Sequence, residues 1–437
     1  MKLTKARIWQ FNSGGLSPVL LELTTDSGIT GLGEAGVAYG LGSATAAPMI
    51  QEMVQKHLSG GIDPMPTERI WTEIYDTSFW AKGGGPFFFA GLSAVEQALI
   101  DIKARALNVP VYELLGGRVR DMLRCYSNGW YFGAKSDDDL PGMAEATVRD
   151  GYNAIKFYPF VTILPTGRLK HPVRRGTDAP DIVPRALKNL AAVRSAVGDD
   201  VEIMVDLASA LAPDDTIRFC READRYGLSF VEEPCEPGDI QTLRKIADAI
   251  PQRLAVGERL YTRYGFRNLL ESRCVDILQP DIGNTGGILE ARKIAAMGEA
   301  YSLKVQPHIC ASPLSTAIGM HFSASIPNFY FQEHFPYWDR IDGYRQVLKK
   351  SPYCCFQNSS FWGSQMRLRP CGLPIPCSPN RNSTFVSFMM IRKPCFLQGA
   401  CRLWQPTVMS QHSTTPTAWW CAVAFTMTSI SATARNI

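Results

Sequence analysis

The amino-acid sequence predicts a (β/α)8 barrel of the TIM type carrying an N-terminal α+β capping domain. Three observations lead there. Strand patterns precede helix patterns over residues 1–120; short apolar strands then alternate with amphipathic helices; and a polar residue ends six of those strands at intervals of one βα unit.

The opening elements follow from residue type and spacing. Residues 2–11 and 19–25 are rich in β-branched and apolar side chains, and Asp26, Ser27 and Gly28 supply a turn before Ile29. Leu92, Val95, Leu99, Ile102 and Ala106 then recur at helical spacing as one apolar stripe. The N-terminus reads as a charged, alternating strand and not as a signal peptide. No run of about 18 apolar residues follows. A cytoplasmic chain without membrane contact is the expectation.

Residues 121–350 form the barrel in this reading. Its strands are expected at 202–206, 229–233, 254–257, 277–280, 304–306 and 329–332, with Ala154 and Ile155 in an earlier one. A helix over 239–250 places Ile240, Leu243, Ala247 and Ile250 on one face, and a helix over 287–301 does so with Ile288, Ala291, Ala295 and Gly298.

Past about Lys350 this order stops. Residues 351–437 contain no Asp or Glu, although the body's acid frequency would put about ten there. Cys354, Cys355, Cys371, Cys377, Cys395, Cys401 and Cys421 match no zinc spacing, and Trp362, Trp404, Trp419 and Trp420 keep no helical or strand register. Such composition suits neither hydrophilic disorder nor a packed domain. The expectation is an atypical tail arising from a shifted reading frame, or from an error of splicing or gene assignment. Without it, residues 1–350 hold 38 Lys and Arg against 41 Asp and Glu, a formal charge of −3, so the body offers no basic face for nucleic acid. The body's own Cys125, Cys220, Cys235, Cys274 and Cys310 are scattered, as occasional buried thiols are.

The chemistry lies at the strand ends. Asp206, Glu232, Glu258, Asp281, His308 and Glu333 each follow an apolar strand, at intervals of 26, 26, 23, 27 and 25 residues. In a closed barrel such positions converge on one mouth. Any one acid alone would read as a helix cap or a solvated loop residue. Asp206, Glu232 and Glu258 in equal register read instead as hard oxygen ligands for Mg2+, whose charge would offset their repulsion. Asp281 and His308 make an acid–base pair, because a carboxylate accepting from one ring nitrogen fixes the tautomer and raises the basicity of the other. Lys156, in the strand before Asp206, faces the same mouth, to hold a substrate carboxylate or to lower a neighbour's pKa. Tyr158 points the same way if that strand continues, as a catalytic acid or as a wall residue.

These residues resemble a known family. The segments GLSAVEQALIDIK (residues 91–103) and PVYELLGG (residues 110–117), with Val231-Glu232-Glu233-Pro234, Gly257-Glu258-Arg259, Leu278-Gln279-Pro280-Asp281 and Gly286-Gly287, resemble the mandelate racemase branch of the enolase superfamily over residues 1–345. A Lys or His base acting with magnesium is an established feature of that superfamily.

The resemblance implies Asp206, Glu232 and Glu258 as magnesium ligands, Asp281–His308 as the base, and Glu333 as hydrogen-bonding the developing enediolate. It places Lys156 as the first lysine of a Lys-x-Lys motif, and has loops around 12–18 and 79–89 cover the mouth. It also implies a symmetric homo-oligomer. Two departures shape the expected activity. Tyr158 stands where racemases of the family have their second lysine, which favours one-base elimination over racemisation. Ala208 stands where galactonate-type dehydratases carry a histidine acid, so the leaving hydroxyl takes its proton from Tyr158 or from His308. The expectation is a Mg2+-dependent sugar-acid dehydratase. A cycloisomerase or epimerase of a related acid sugar is the runner-up, and a chain impaired by its altered C-terminus is the third reading. The loop over 162–181, with Arg168, Lys170, His171, Arg174 and Arg175, reads as a solvated surface loop or as an arm reaching toward an anionic substrate.

Overall fold

The computed structural model describes residues 1–11, 16–164, 166, 169–170 and 182–336, and four short strands beyond them. Three antiparallel strands open the chain: β1 (Leu3–Gln10), β2 (Val19–Thr25) and β3 (Thr30–Ala35). Gly28 takes a φ of 79°, which lets the tight turn between β2 and β3 form where Asp26-Ser27-Gly28 was expected. Helices α1 (Ala46–Met53), α2 (Thr67–Thr77) and α3 (Pro86–Leu107) cover that sheet. Leu92, Val95, Leu99 and Ile102 are buried as the stripe predicts, but Ala106 is exposed because α3 outruns the sheet in its last turn. Gly31 and Gly33 let α3 lie directly on β3, since a Cβ on Gly33 would sit 1.9 Å from the Ala94 carbonyl oxygen.

A short helix, α4 (Val111–Leu114), leads to eight parallel strands. They are β4 (Met122–Ser127), β5 (Ala154–Phe157), β8 (Glu202–Asp206), β9 (Leu228–Glu232), β10 (Leu254–Val256), β11 (Ile277–Leu278), β12 (Lys304–Val305) and β13 (Gln332–His334). Between β5 and β8 a small antiparallel pair intervenes, β6 (Thr162–Ile163) with β7 (Leu169–Lys170). Arg168, His171, Arg174 and Arg175 of that connection lie outside the described residues, while Lys170 is exposed.

The eight strands hydrogen-bond in the order β12-β11-β10-β9-β8-β5-β4-β13. The remaining gap is bridged just before β13, where Val305 bonds Asn328 and Tyr330 through the backbone. The sheet therefore curls into a TIM-like barrel. Seven helices alternate with these strands among the described residues: α5 (Leu140–Arg149), α6 (Ile182–Val197), α7 (Pro213–Ala223), α8 (Ile240–Ala247), α9 (Thr262–Ser272), α10 (Ile288–Ala300) and α11 (Pro313–Ser325). No described helix is long and apolar enough to cross a membrane. The body's five cysteines are free, four of them buried.

Farther on are β14 (Gln365–Arg367), β15 (Phe385–Phe388), β16 (Val423–Thr426) and β17 (Thr433–Asn436). The strand β14 pairs with β4, and β17 with β1. The tail cysteines and tryptophans lie outside the described residues.

A polar seam joins the two domains. Carboxylates from the cap sit at the N-termini of barrel helices, where backbone N–H groups lack helical partners. Glu96 accepts from Ile288 N at 2.8 Å and Leu289 N at 3.0 Å at the start of α10. Trp71 donates to the Gly286 carbonyl at 2.7 Å, and Gly286 N donates to Ser93 Oγ at 2.9 Å.

Two outcomes follow from this packing. Gly33→Ala should force β3 and α3 apart and cost about 1–3 kcal/mol, read as a lower thermal unfolding midpoint. Burial pushes the Glu96 carboxyl up to about 8 from 4.5, outweighing its backbone donors. A raised folded-state value means its stabilising contribution is complete below about pH 4.5 and is lost as pH rises through about 8. Glu96→Gln should therefore flatten the midpoint's dependence on pH across that window, and an unchanged slope would count against this account.

Candidate active site

The parallel strands deliver their terminal polar groups to one end of the barrel, and these groups form two tiers. The lower tier is fully buried. Lys156, on β5, places Nζ 2.6 and 2.7 Å from the two Glu232 oxygens and 2.9 Å from Glu333 Oε1. Gln279, just beyond β11, donates to Glu232 Oε2 at 2.6 Å. Asn128 Nδ2 and Ile309 N each donate to Glu333 at 2.7 Å.

The upper tier is partly open. His308 Nδ1 lies 2.7 Å from Asp281 Oδ2, and its Nε2 faces Glu258 Oε2 at 3.1 Å. The His308 and Glu258 side chains keep 17% and 18% exposure, against 1% for Lys156. Asp206 follows suit at the end of β8, accepting from Ala208 N at 2.8 Å. Asp281 is oriented by Gly283 N, which donates to Oδ1 at 2.7 Å.

Charge dominates this site. Five carboxylates (Asp206, Glu232, Glu258, Asp281 and Glu333) share it with Lys156 and His308, while Arg259 is engaged by Glu233. With His308 protonated, five negative and two positive charges leave an excess of three negative charges. Burial, followed by repulsion from Glu258, pushes the Asp206 carboxyl up to about 7. Glu232 rises to about 7 through burial and the charge of Asp206, against the pull of Lys156; Glu258 rises to about 7 through burial, with Glu233 and Glu232 adding to it. Burial would lower Lys156 and His308, yet the surrounding carboxylates win and hold both well above their ordinary values.

The candidate ligands Asp206, Glu232 and Glu258 are thus electrostatic neighbours. As placed, however, Glu232 is turned to Lys156, Glu258 to His308, and Asp206 to Ala208 N. Among the described residues no three His, Cys, Asp or Glu side chains are already gathered around one point. The donor chemistry still fits a hard dication: three carboxylates at the ends of adjacent strands, largely withdrawn from water and short of positive charge.

Two expectations change in detail. Strand β5 ends at Phe157, so alternation does not aim Tyr158; its ring packs edge-on to Phe160 with centroids 6.1 Å apart. Burial and the nearby Asp206 charge raise its phenol above the ordinary range, which keeps it protonated. Glu333 accepts from three donors, and Lys156 and His308 outweigh burial to hold its carboxyl below the usual value. In this arrangement it has no proton to give an enediolate.

Of the covering loops, residues 12–15 lie outside the described residues. The 79–89 segment is not one loop, because Phe79–Gly83 is a short helical turn and Pro86 already begins α3. Sequence reasoning missed Gln279 and Asn128, which tie down Glu232 and Glu333. Gln279 had a legible signal, lying two residues before Asp281 on the same strand end; Asn128 had none. Ala208 and Ser209 adopt left-handed φ values of 44° and 56°, a strained turn directly after Asp206.

Comparison with known proteins agrees with this architecture. Residues 13–116 match the family model described as mandelate racemase / muconate lactonizing enzyme, N-terminal domain, and residues 140–353 match that described as enolase C-terminal domain-like. A D-galactonate dehydratase from Ralstonia pickettii (strain 12J) is 33% identical over 72% of this chain and 77% of its own. A D-gluconate dehydratase from Thermoproteus tenax is 32% identical over 74% of this chain, and the match spans only 62% of that relative's length. A crystal structure from Mesorhizobium loti, provisionally assigned as a dehydratase, superposes with a TM-score of 0.76 at 47% identity, covering 80% of this chain and 91% of the other.

Lys156→Met should leave Glu232 and Glu333 buried without their cation. The expected cost at neutral pH is about 3–5 kcal/mol, measured as a shift in the denaturation midpoint. A variant as stable as the parent would mean that the lower tier is not held together by this ammonium.

Proposed function

The chain belongs to the mandelate racemase / muconate lactonizing enzyme family of the enolase superfamily, and on that premise we propose that it is a Mg2+-dependent sugar-acid dehydratase. The observation that carries the proposal is the Asp281–His308 pair held at 2.7 Å beside Glu258, Glu232 and Asp206. The dehydratase names of the relatives support the reaction class.

The α-proton of a carboxylate is very weakly acidic, so the site must offer positive charge where the enediolate develops. Asp206, Glu232 and Glu258 would hold the Mg2+ ion, which when bound supplies Lewis-acid stabilisation of the substrate carboxylate. His308 takes the α-proton at Nε2 when Glu258 is engaged elsewhere, while Asp281 holds Nδ1–H and so fixes the productive tautomer. Lys156, from the floor, keeps its charge beneath the developing anion. Glu333 anchors Lys156 and the loop that carries His308, and serves as a donor to the enediolate only on gaining a proton.

The β-hydroxyl then leaves, protonated by His308 itself. One group serving both steps on one face gives syn elimination. Tyr158 is the alternative donor, although its ring is packed into the wall. Tautomerisation yields a 2-keto-3-deoxy sugar acid. A cytoplasmic address and a homo-oligomeric state belong to the same proposal, supported by free cysteines and by family habit.

His308→Asn should abolish exchange of the substrate α-proton with solvent and lower turnover at least about 10³-fold. Calorimetry should find Mg2+ binding retained. In an acid-sugar panel the parent should release a product lighter by one water; an isobaric product would redirect the assignment to a cycloisomerase or epimerase. Undiminished turnover in His308→Asn would refute the assignment of the base.

A further inference from the structure

We propose that three consecutive residues of the capping domain, Glu34-Ala35-Gly36, position both members of the Asp281–His308 pair. The inference rests on the reading of that pair as the catalytic base. It makes the cap a part of the proton-transfer machinery as well as a cover.

The His308 side of the contact runs through Glu34. This carboxylate is fully buried and accepts four hydrogen bonds from the start of α11: Ser312 N at 2.9 Å, Ser312 Oγ at 2.6 Å, Ser315 N at 3.1 Å and Ser315 Oγ at 3.0 Å. Only Ile309, Cys310 and Ala311 separate His308 from Ser312. At the other end of this short stretch Ile309 N is bound to Glu333. The loop bearing His308 is thus pinned on both sides, once by the barrel floor and once by the cap.

The Asp281 side runs through Gly36. Its N–H donates to the Gly283 carbonyl at 2.9 Å, and the N–H of Gly283 orients Asp281 Oδ1. The approach is close enough that a Cβ on Gly36 would lie 2.9 Å from Asp281 Oδ1 and 2.9 Å from the Gly283 carbonyl carbon. Gln97 locks the strip in place, accepting from Glu34 N at 2.8 Å and donating to the Ile282 carbonyl at 3.1 Å. A helix-capping role alone would account for Glu34. It does not account for a glycine backbone packed against the dyad carboxylate two residues away.

The test compares Gly36→Ala and Glu34→Gln with Glu96→Gln, which alters the same seam away from the dyad. Gly36→Ala and Glu34→Gln should lower kcat about ten- to a hundredfold, in keeping with a sub-ångström misplacement of a base. KM and the calorimetric Mg2+ affinity should stay within about twofold of the parent. The second readout needs no substrate: the downfield proton of the His308 Nδ1–Asp281 hydrogen bond, assigned by its loss in His308→Asn, should shift or broaden in both variants and stay put in Glu96→Gln. If Gly36→Ala does not fold, Glu34→Gln carries both readouts. Parental kcat with an unmoved resonance overturns the proposal. So does an equal loss in Glu96→Gln, which would reduce the strip to ordinary domain packing. An active His308→Asn would instead remove the base assignment, and the resonance would still report whether the cap positions the pair.

Discussion

Everything at the barrel mouth depends on how buried negative charge is compensated. A lone carboxylate moved into a low-dielectric interior loses far more hydration than any single hydrogen bond returns. Here five are placed together, and among the described residues Lys156 bridges Glu232 and Glu333 beneath them, while Arg259 lies 3.9 Å from Glu258 at the rim. That is too little. Burial first, and the remaining excess of negative charge second, raise Asp206, Glu232 and Glu258 toward neutrality, and His308 is drawn into partnership with Glu258 as well as Asp281. The protein alone thus holds His308 in a partnership that favours its protonated form, and leaves the carboxylates short of positive charge. The crowding that strains these oxygens also gathers the donor chemistry that suits a hard dication.

The scaffold around this site is closely packed and largely apolar. Phe219, Phe230, Phe266 and Phe331 are fully buried, as are Val205, Val231 and Leu278 beside the polar strand ends. Side chains in such packing cannot drift to ease electrostatic strain. Ala208, Ser209 and Glu233, in the turns that follow two of these strands, take left-handed φ values that re-aim the chain around the mouth. Arg259 ties two of these turns together by donating to both Ser209 and Glu233.

What could be read from the sequence was whatever recurs along the chain. The 23- to 27-residue spacing of acids after apolar strands reported the mouth, since each βα unit must return to the same end of the barrel. Strand β8 falls at the expected 202–206, and the helices α8 and α10 lie inside the expected spans. The strand before Glu333 is harder to read: 329–332 was expected, but the ladder to β4 begins at Gln332, because Asn328–Tyr330 is used to close the barrel against Val305. Glu34, Glu96, Gln97 and Asn128 were not legible. Their partners lie between about sixty and three hundred residues away, and periodicity carries no information about which distant loop will dock against a given strand. The aim of Tyr158 was not legible for a related reason, since alternation holds only while a strand lasts and this one ends at Phe157.

The break in composition near Lys350 and the end of the family match at residue 353 fall together. Two readings of the far segment differ in what they ask of the core. If the segment were needed to complete the site, the groups it supplied would have to reach the mouth. Yet among the described residues the floor, the dyad and the cap strip are already tied to one another by partners from residues 34 to 333. The polar seam gives the same answer from another direction. Glu34, Gln97 and Glu96 reach barrel backbone from the first hundred residues, so these contacts between cap and barrel are made by residues well before 350. Buried polar contacts of this kind contribute little net free energy but permit few alternative alignments. Their value lies in specificity, and in this protein the alignment they specify is the one that places a glycine backbone against Asp281.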